Sequence, residues 1–432
     1  MMRERSLRLL EEYGDVVPGG VHSNFRSPVY YERAEGSRVW DIDGNEYIDC
    51  VVSNGACILG HGDPDISEAV REVLKDGLSV GLESELGLKV ARQVKEMVPS
   101  AERVRFANTG TEAMMKAVMI AREHTGRGKI VKAEGAYHGW YDDFLVSVHP
   151  DPKLAGPPNS PLPVRASGGL RRDVEDWVVP VPFNDPEALD RALSLHGDDV
   201  AAVIVEPVVF NSGCIPPKDR YLEAVREVTR KHDVVLIFDE VITGFRLAPG
   251  GAQELYGVVP DLTVLAKAIA NGYPLAAVVG RRDLMEVTHP AHGRVLYAGT
   301  YNAHHVALAA ASVCLEKLRD GGVQRKLQEL TERLVEGFGR LADKLGVRAR
   351  LQGLGGQFQV YFTDEEVVDY RSAAFSDEWA YRRFQGRVLK ERVLMKPSYL
   401  FHHGVTYSHT EEDIDKILEA MEKGLEAVRD ED

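Results

Sequence analysis

Between about residues 100 and 320, short and almost wholly apolar runs alternate with longer stretches whose apolar residues recur every three or four positions. Ala201-Ala202-Val203-Ile204-Val205, Val234 to Phe238 and Leu275 to Val279 are too short to span a membrane and fit strands buried on both faces of a sheet. The stretch from Asp219 to His232, with Leu222, Val225 and Val228, fits an amphipathic helix between two such strands. Strand and helix in alternation predict an α/β fold: a mostly parallel sheet wrapped by helices. This pattern sets a large domain at 63–320. Ahead of it, an N-terminal segment (1–62) reads as a short helix at 3–13, a loop after Pro18-Gly19-Gly20 and a hairpin around Asp43-Gly44-Asn45, packing with the small domain. Past Gly321-Gly322 the alternation stops. Helix 324–345, a Gly-broken strand at 353–361, helix 375–391 and a terminal helix carrying Ile414, Ile417, Leu418, Met421 and Leu425 predict a smaller α+β domain at 321–432.

Composition narrows the function. A net charge of −15 over 432 residues argues against nucleic acid or an anionic membrane as a main partner. No run approaches the roughly 20 apolar residues of a membrane helix, and the N-terminus lacks the apolar core of a signal peptide. The four cysteines, Cys50, Cys57, Cys214 and Cys314, have neither CxxC spacing nor disulfide-framework density, so a cytoplasmic setting is expected. His402, His403 and His409 are not spaced for one helix face, so no metal is expected.

Candidate chemistry gathers at strand ends, where open α/β sheets bind ligands. The run Val234 to Phe238 ends at Asp239, and the next, 261–267, exits at Lys267. An Asp there is commonly a turn residue and a Lys a solvated one. Together they also suit pyridoxal phosphate, whose aldehyde a lysine amine captures and whose pyridine nitrogen a carboxylate keeps protonated. Gly110-Thr111, between a strand and a helix, places backbone N–H groups and a helix dipole at one point, as a phosphate site or as an ordinary N-cap by Thr109 or Thr111. Tyr137-His138 lies in a Gly-bounded loop suited to stacking on a flat ring, and Asn211 follows the strand end Glu206-Pro207. Gly299-Thr300 opens a helix running to about Leu318 and repeats the phosphate-type signal. The Pro- and Gly-rich stretch 150–172 reads as a gate. Arg26, beside Ser23, is either a solvated loop residue or a bidentate clamp for a carboxylate.

These motifs resemble the class III, fold-type-I aminotransferases that use pyridoxal phosphate, and the branch holding glutamate-1-semialdehyde aminomutase most of all. The likeness runs from about Pro18 to Leu425. Asn108-Thr109-Gly110-Thr111-Glu112-Ala113 is similar to the family's N-S-G-T-E-A turn, Tyr137-His138-Gly139 to its Y-H-G loop, and Phe238-Asp239-Glu240-Val241 to its F-D-E-V segment. The resemblance implies a Schiff base on Lys267, Asp239 on the pyridinium nitrogen, Tyr137 and Val241 on opposite ring faces, and Asn211 at the ring hydroxyl. It also implies phosphate contacts from Gly110 and Thr111, joined by Thr300 of the second subunit of a homodimer. Ser23 and Arg26 fall where the aminomutase binds its substrate carboxylate. Other substrate positions depart: Asn54 stands for its usual Trp, His22 for its Asn, and Phe401-His402-His403 replaces a segment containing an acid. The expectation is therefore an intermolecular aminotransferase, passing nitrogen from an amine or amino acid (a terminal, β- or aryl amine) to a keto acid. The alternatives are the intramolecular aminomutase reaction and a racemase or epimerase.

Overall fold

A computed structural model of the chain describes residues 4–24, 26, 29–78, 81–218 and 220–430. They form two compact units: residues up to 64 with 326–364 and from 376 onward, and residues 65–325 with 365–375. In the smaller unit, helix Glu4–Gly14 precedes strands β1 (Tyr31–Glu35), β2 (Arg38–Asp41) and β3 (Glu46–Asp49), which pair antiparallel in sequence. The β2–β3 turn is held by Asp41, whose Oδ1 accepts from the backbone N–H groups of Asp43 and Asn45 while Gly44 takes φ 81°. A side chain substituting for turn backbone is the reason Asp-Gly-Asn sequences reverse the chain.

The larger unit holds β4 (Arg103–Ala107), β5 (Lys129–Ala133), β6 (Val178–Val181), β7 (Val200–Val205), β8 (Val235–Glu240), β9 (Leu262–Leu265) and β10 (Ala276–Gly280). They form one seven-stranded sheet in the order β4-β10-β9-β8-β7-β5-β6. Only β10 runs against the others. Every residue of β7 to β10 is buried, which is why these strands read as unbroken apolar runs. β6 contains Pro180, which lacks an N–H for the ladder, and it lies at the sheet edge where that loss is tolerated. Helix Gly110–Thr125 buries Ala113, Met114, Ala117, Val118, Ile120 and Ala121 in a core shared with Ile204, Ile237 and Val264.

Back in the smaller unit, β11 (Arg350–Leu354) and β12 (Gln357–Tyr361) form a hairpin rather than the single broken strand the sequence suggested. Gly355 and Gly356 are its two turn residues, both at positive φ (58° and 83°), the requirement of a tight primed turn. β13 (Val393–Leu394) adds parallel to β3, and β14 (His403–Gly404) pairs with β12. Helices Glu378–Lys390 and Glu411–Arg429 meet where Gly424 lies against the Phe384 ring; a Cβ there would sit 2.5 Å from Cδ2.

Residues 321–325 and 365–375, expected in the smaller domain, are part of the larger unit. The second stretch is tied down by two side chains. Arg371 places Nε and Nη2 on Glu134 at 2.7 and 2.8 Å and donates to the carbonyls of Pro152, Ala155 and Gly156. Tyr370 donates to the Pro150 carbonyl at 2.6 Å and stacks on His149. The stretch that the sequence marks as a gate is therefore anchored at 150–156. Arg371→Ala strands the buried Glu134 carboxylate, so we expect a loss on the order of 3–5 kcal/mol, read as a lower urea midpoint. An unchanged midpoint would contradict this account of the anchor.

Candidate active site

Six strands of the larger unit, β4 to β9, run in one direction, so their carboxyl ends share one edge of the sheet. Asp239 is the penultimate residue of β8 and pairs in register with Val264 of β9. Lys267 lies three residues beyond that partner, at the start of a short turn of helix. Its backbone has φ 50°, a left-handed conformation unfavourable for a residue with a Cβ, and such strain gathers at reactive positions. Nothing in the sequence announces it.

Asp239 is 5% exposed and fully engaged. Its Oδ1 accepts from the Val241 backbone N–H at 3.1 Å, and its Oδ2 lies 2.7 Å from His138 Nδ1. A carboxylate only accepts, so Nδ1 carries the hydrogen. Burial drives the His138 pKa down against the raising pull of Asp239, which leaves a neutral ring whose buried Nε2 has no hydrogen-bond partner among the described residues. His138 thus holds the carboxylate in place without cancelling its charge.

Around this pair the side chains interlock. Glu206, the residue after β7, takes the backbone N–H of Tyr137 and the Asn211 side chain, at 3.2 and 2.9 Å. Asn211 Nδ2 also reaches the Tyr137 carbonyl at 3.2 Å. Burial, with the Asp239 charge behind it, pushes the Glu206 carboxyl up. Glu206 is the site residue that sequence reasoning passed over, although its signal, an acid closing a buried run, is the one that marked Asp239. Thr109, not Thr111, is the N-cap of helix Gly110–Thr125, accepting from Glu112 N at 3.1 Å. A Cβ on Gly110 would come within 3.0 Å of Val241 Cγ2, and one on Gly139 within 2.6 Å of Thr111 Oγ1, so glycine at both positions lets the three loops close on one another.

Burial lowers the Lys267 ammonium to about 8, against the opposing pull of Asp239 and Glu206. An amine reacts only when unprotonated, so reconstitution of the cofactor-free protein with pyridoxal phosphate should speed up about tenfold per pH unit below 8 and level off above it. A stopped-flow rate still climbing past pH ~10, where an ordinary lysine titrates, would contradict this.

Gly110, Thr111, Tyr137, His138, Asn211, Asp239, Val241 and Lys267 all lie in the larger unit. Thr300 lies there too, but not at a helix start. It is exposed in a turn, and the helix begins at His305, because Ala303 at φ 59° interrupts the helical path. Ser23, Arg26, Asn54 and Phe401 belong to the smaller unit. There Arg26 is exposed, its N–H donating to the Ser23 carbonyl at 3.0 Å. Asn54 sits in a left-handed turn, its carbonyl 3.4 Å from His402 Nε2, and the Phe401 ring lies 5.7 Å from Lys396 Nζ. Among the described residues, Glu286, His289 and His292 bring potential metal ligands within 4.8 Å of one another. The two imidazoles stack face to face at 3.8 Å, which sends their in-plane lone pairs along parallel lines rather than toward one ion.

The donor set fits the cofactor that the resemblance implies. A buried carboxylate, oriented by a neutral histidine, suits a protonated ring nitrogen. An amine of lowered basicity suits an aldehyde, and a helix N-terminus of 16 residues' dipole suits a phosphate.

Residues 21–425 match the family model of the class-III aminotransferases. The chain is 41% identical over 432 residues to glutamate-1-semialdehyde 2,1-aminomutase 2 of Brevibacillus brevis, covering 98% of this chain and 99% of that one. Further relatives at 38–41% identity bear the aminomutase name. Among solved structures it is similar to an omega-transaminase from Sphaerobacter thermophilus (TM-score 0.93, 33% identity, 98% of each chain). It is also similar to a transaminase with pyridoxal phosphate bound (TM-score 0.90, 31% identity, 100% of this chain and 99% of that one).

Proposed function

The chain belongs to the class-III aminotransferases, and from that premise we propose that it moves an amino group with pyridoxal phosphate, within a single substrate molecule, as a glutamate-1-semialdehyde aminomutase does. The observation that carries the chemistry is the pairing of Asp239 and Lys267 at adjacent strand ends. The near full-length identity to aminomutases favours the intramolecular course over the intermolecular transfer that the substrate positions suggest by sequence. When bound, pyridoxal phosphate supplies an aldehyde for amine capture and a ring that accepts the electron pair left by a departing proton.

The residues then divide the work. Lys267 Nζ would be the amine that captures the cofactor aldehyde, and the Lys267 amine would also hold and move the proton between carbon atoms. Asp239, held by His138, keeps the ring nitrogen protonated. Gly110 and Thr111 hold the phosphate, with Thr300 of a second subunit completing the contact in a homodimer. Tyr137 and Val241 would hold the ring, and Asn211, fixed by Glu206, would bind its hydroxyl. Ser23 and Arg26 would take the substrate carboxylate, and Asn54 and Phe401 are the further candidates for substrate contact. Cytoplasmic residence accords with this reading; among the described residues no helix is long and apolar enough to cross a membrane.

The second reading, transfer between two molecules, is supported by Asn54 and by Phe401-His402-His403, which depart from the aminomutase pattern, and by the likeness to the omega-transaminase. One assay separates them. Glutamate-1-semialdehyde given alone should yield 5-aminolevulinate with no added acceptor. If the semialdehyde is inert alone and an amine is consumed only when pyruvate or 2-oxoglutarate is present, the second reading replaces the first.

A further inference from the structure

β8 and β9 begin at the opposite edge of the sheet from Asp239 and Lys267, and a cavity of about 490 Å³ lies there, wholly within the larger unit. Its lining includes four guanidiniums, Arg127, Arg226, Arg230 and Arg281, and two carboxylates, Asp233 and Asp261. In a chain of net charge −15, such a local surplus of cations runs against the overall balance.

Asp261, the residue before β9, is fully engaged. Its Oδ1 accepts from Arg281 Nη1 at 3.0 Å, and its Oδ2 from Arg226 Nη1 and the Leu236 N–H, each at 2.8 Å. The remaining nitrogens of Arg281 are on Asp283, at 3.1 and 2.6 Å. Arg226 differs. It is only 8% exposed, and among the described residues neither its buried Nε nor its Nη2 meets an acceptor. Those two nitrogens form one edge of the guanidinium, the fork that grips two oxygens of a carboxylate or phosphate at once. A buried donor left unpaired is costly, so the fork calls for an acceptor.

Arg127 and Arg230 add charge without a counter-ion among the described residues. Arg127 Nη1 donates to the carbonyls of Asp233 and His232, at 2.8 and 3.4 Å, and so pins the left-handed Asp233 (φ 53°). Arg230 is exposed, and its side chain has neither an ion pair nor a hydrogen bond among those residues. Helices Gly110–Thr125 and Tyr221–Lys231 both end at this edge, and a cation near a helix carboxyl end offsets its dipole. That accounts for Arg230 in its last turn. It does not account for the unused fork of a buried Arg226.

We propose that this cavity binds a compact oxyanion of two or more negative charges, a phosphoryl compound or a di- or tricarboxylate. The Nε–Nη2 edge of Arg226 grips two of its oxygens, and Arg127 and Arg230 supply the rest of the charge. Among the described residues no Phe, Tyr or Trp lines the cavity, so the ligand is held by its charge rather than by stacking. The site and the cofactor lie at opposite ends of β8 and do not overlap.

Calorimetric titration of the cofactor-loaded protein with pyrophosphate, and separately with citrate, at low ionic strength tests this. One equivalent per chain should bind, weakened about tenfold or more by Arg226→Gln and about fivefold by Arg230→Gln. Saturable binding that both substitutions weaken supports the site, and the tighter of the two anions identifies its class. Arg230→Gln alters an exposed side chain and is expected to fold, so it decides the matter should Arg226→Gln not fold. No saturable binding of either anion below about 1 mM, or binding that a folded variant leaves unchanged, overturns the proposal.

Discussion

Lys267→Ala is expected to lower turnover by roughly 10⁴-fold or more while leaving the fold intact. Two tasks fall on one nitrogen in the proposed chemistry, capture of the cofactor aldehyde and transfer of a proton between carbon atoms. Alanine removes both. The buried Lys132 does not replace it, since its Nζ is spent on the carbonyls of Ala136 and Val146, each at 2.8 Å. The structural loss is small by comparison, since among the described residues the side chain makes no hydrogen bond that holds β9 to its neighbours. Steady-state turnover and a circular dichroism melt decide it together. A folded variant within about tenfold of the wild type would remove Lys267 from the mechanism.

Asp239→Asn should slow turnover by roughly 10²–10³-fold with the cofactor still retained. The carboxamide oxygen can keep the His138 Nδ1–H, so the geometry survives and the charge goes. A ring nitrogen without that charge is less readily protonated and accepts electrons poorly. The substitution carries a second signature. The Asp239 charge raises the Lys267 pKa, so its removal should move the pH dependence of cofactor reconstitution below the wild-type value of about 8. A variant with normal turnover, or one whose reconstitution profile moves upward, would contradict the placing of Asp239 beside both the ring and the lysine.

The cofactor half of the site was legible because its signals are one-dimensional. A buried parallel strand reads as an apolar run, and a carboxylate or amine that ends the run must lie at the sheet edge, as Asp239 and Lys267 do. Glu206 gives the same signal and was passed over, since nothing in sequence reveals that it gathers Tyr137 and Asn211. The Thr300 helix start failed at Ala303, whose left-handed backbone carries no compositional mark. The return of 365–375 to the larger unit rests on Arg371 reaching Glu134 across more than two hundred residues, a contact that only the folded chain creates. Substrate positions were the least legible. Ser23, Arg26, Asn54 and Phe401 lie in loops and turns of the smaller unit, where no periodicity constrains the backbone, and their reading rested on resemblance.

The most direct measurement is borohydride reduction of the protein loaded with pyridoxal phosphate, followed by proteolysis and mass mapping of the cofactor-bearing peptide. The account predicts stoichiometric label on Lys267 alone and none on Lys132. Label on another lysine, or none on a protein that turns over substrate, would contradict it.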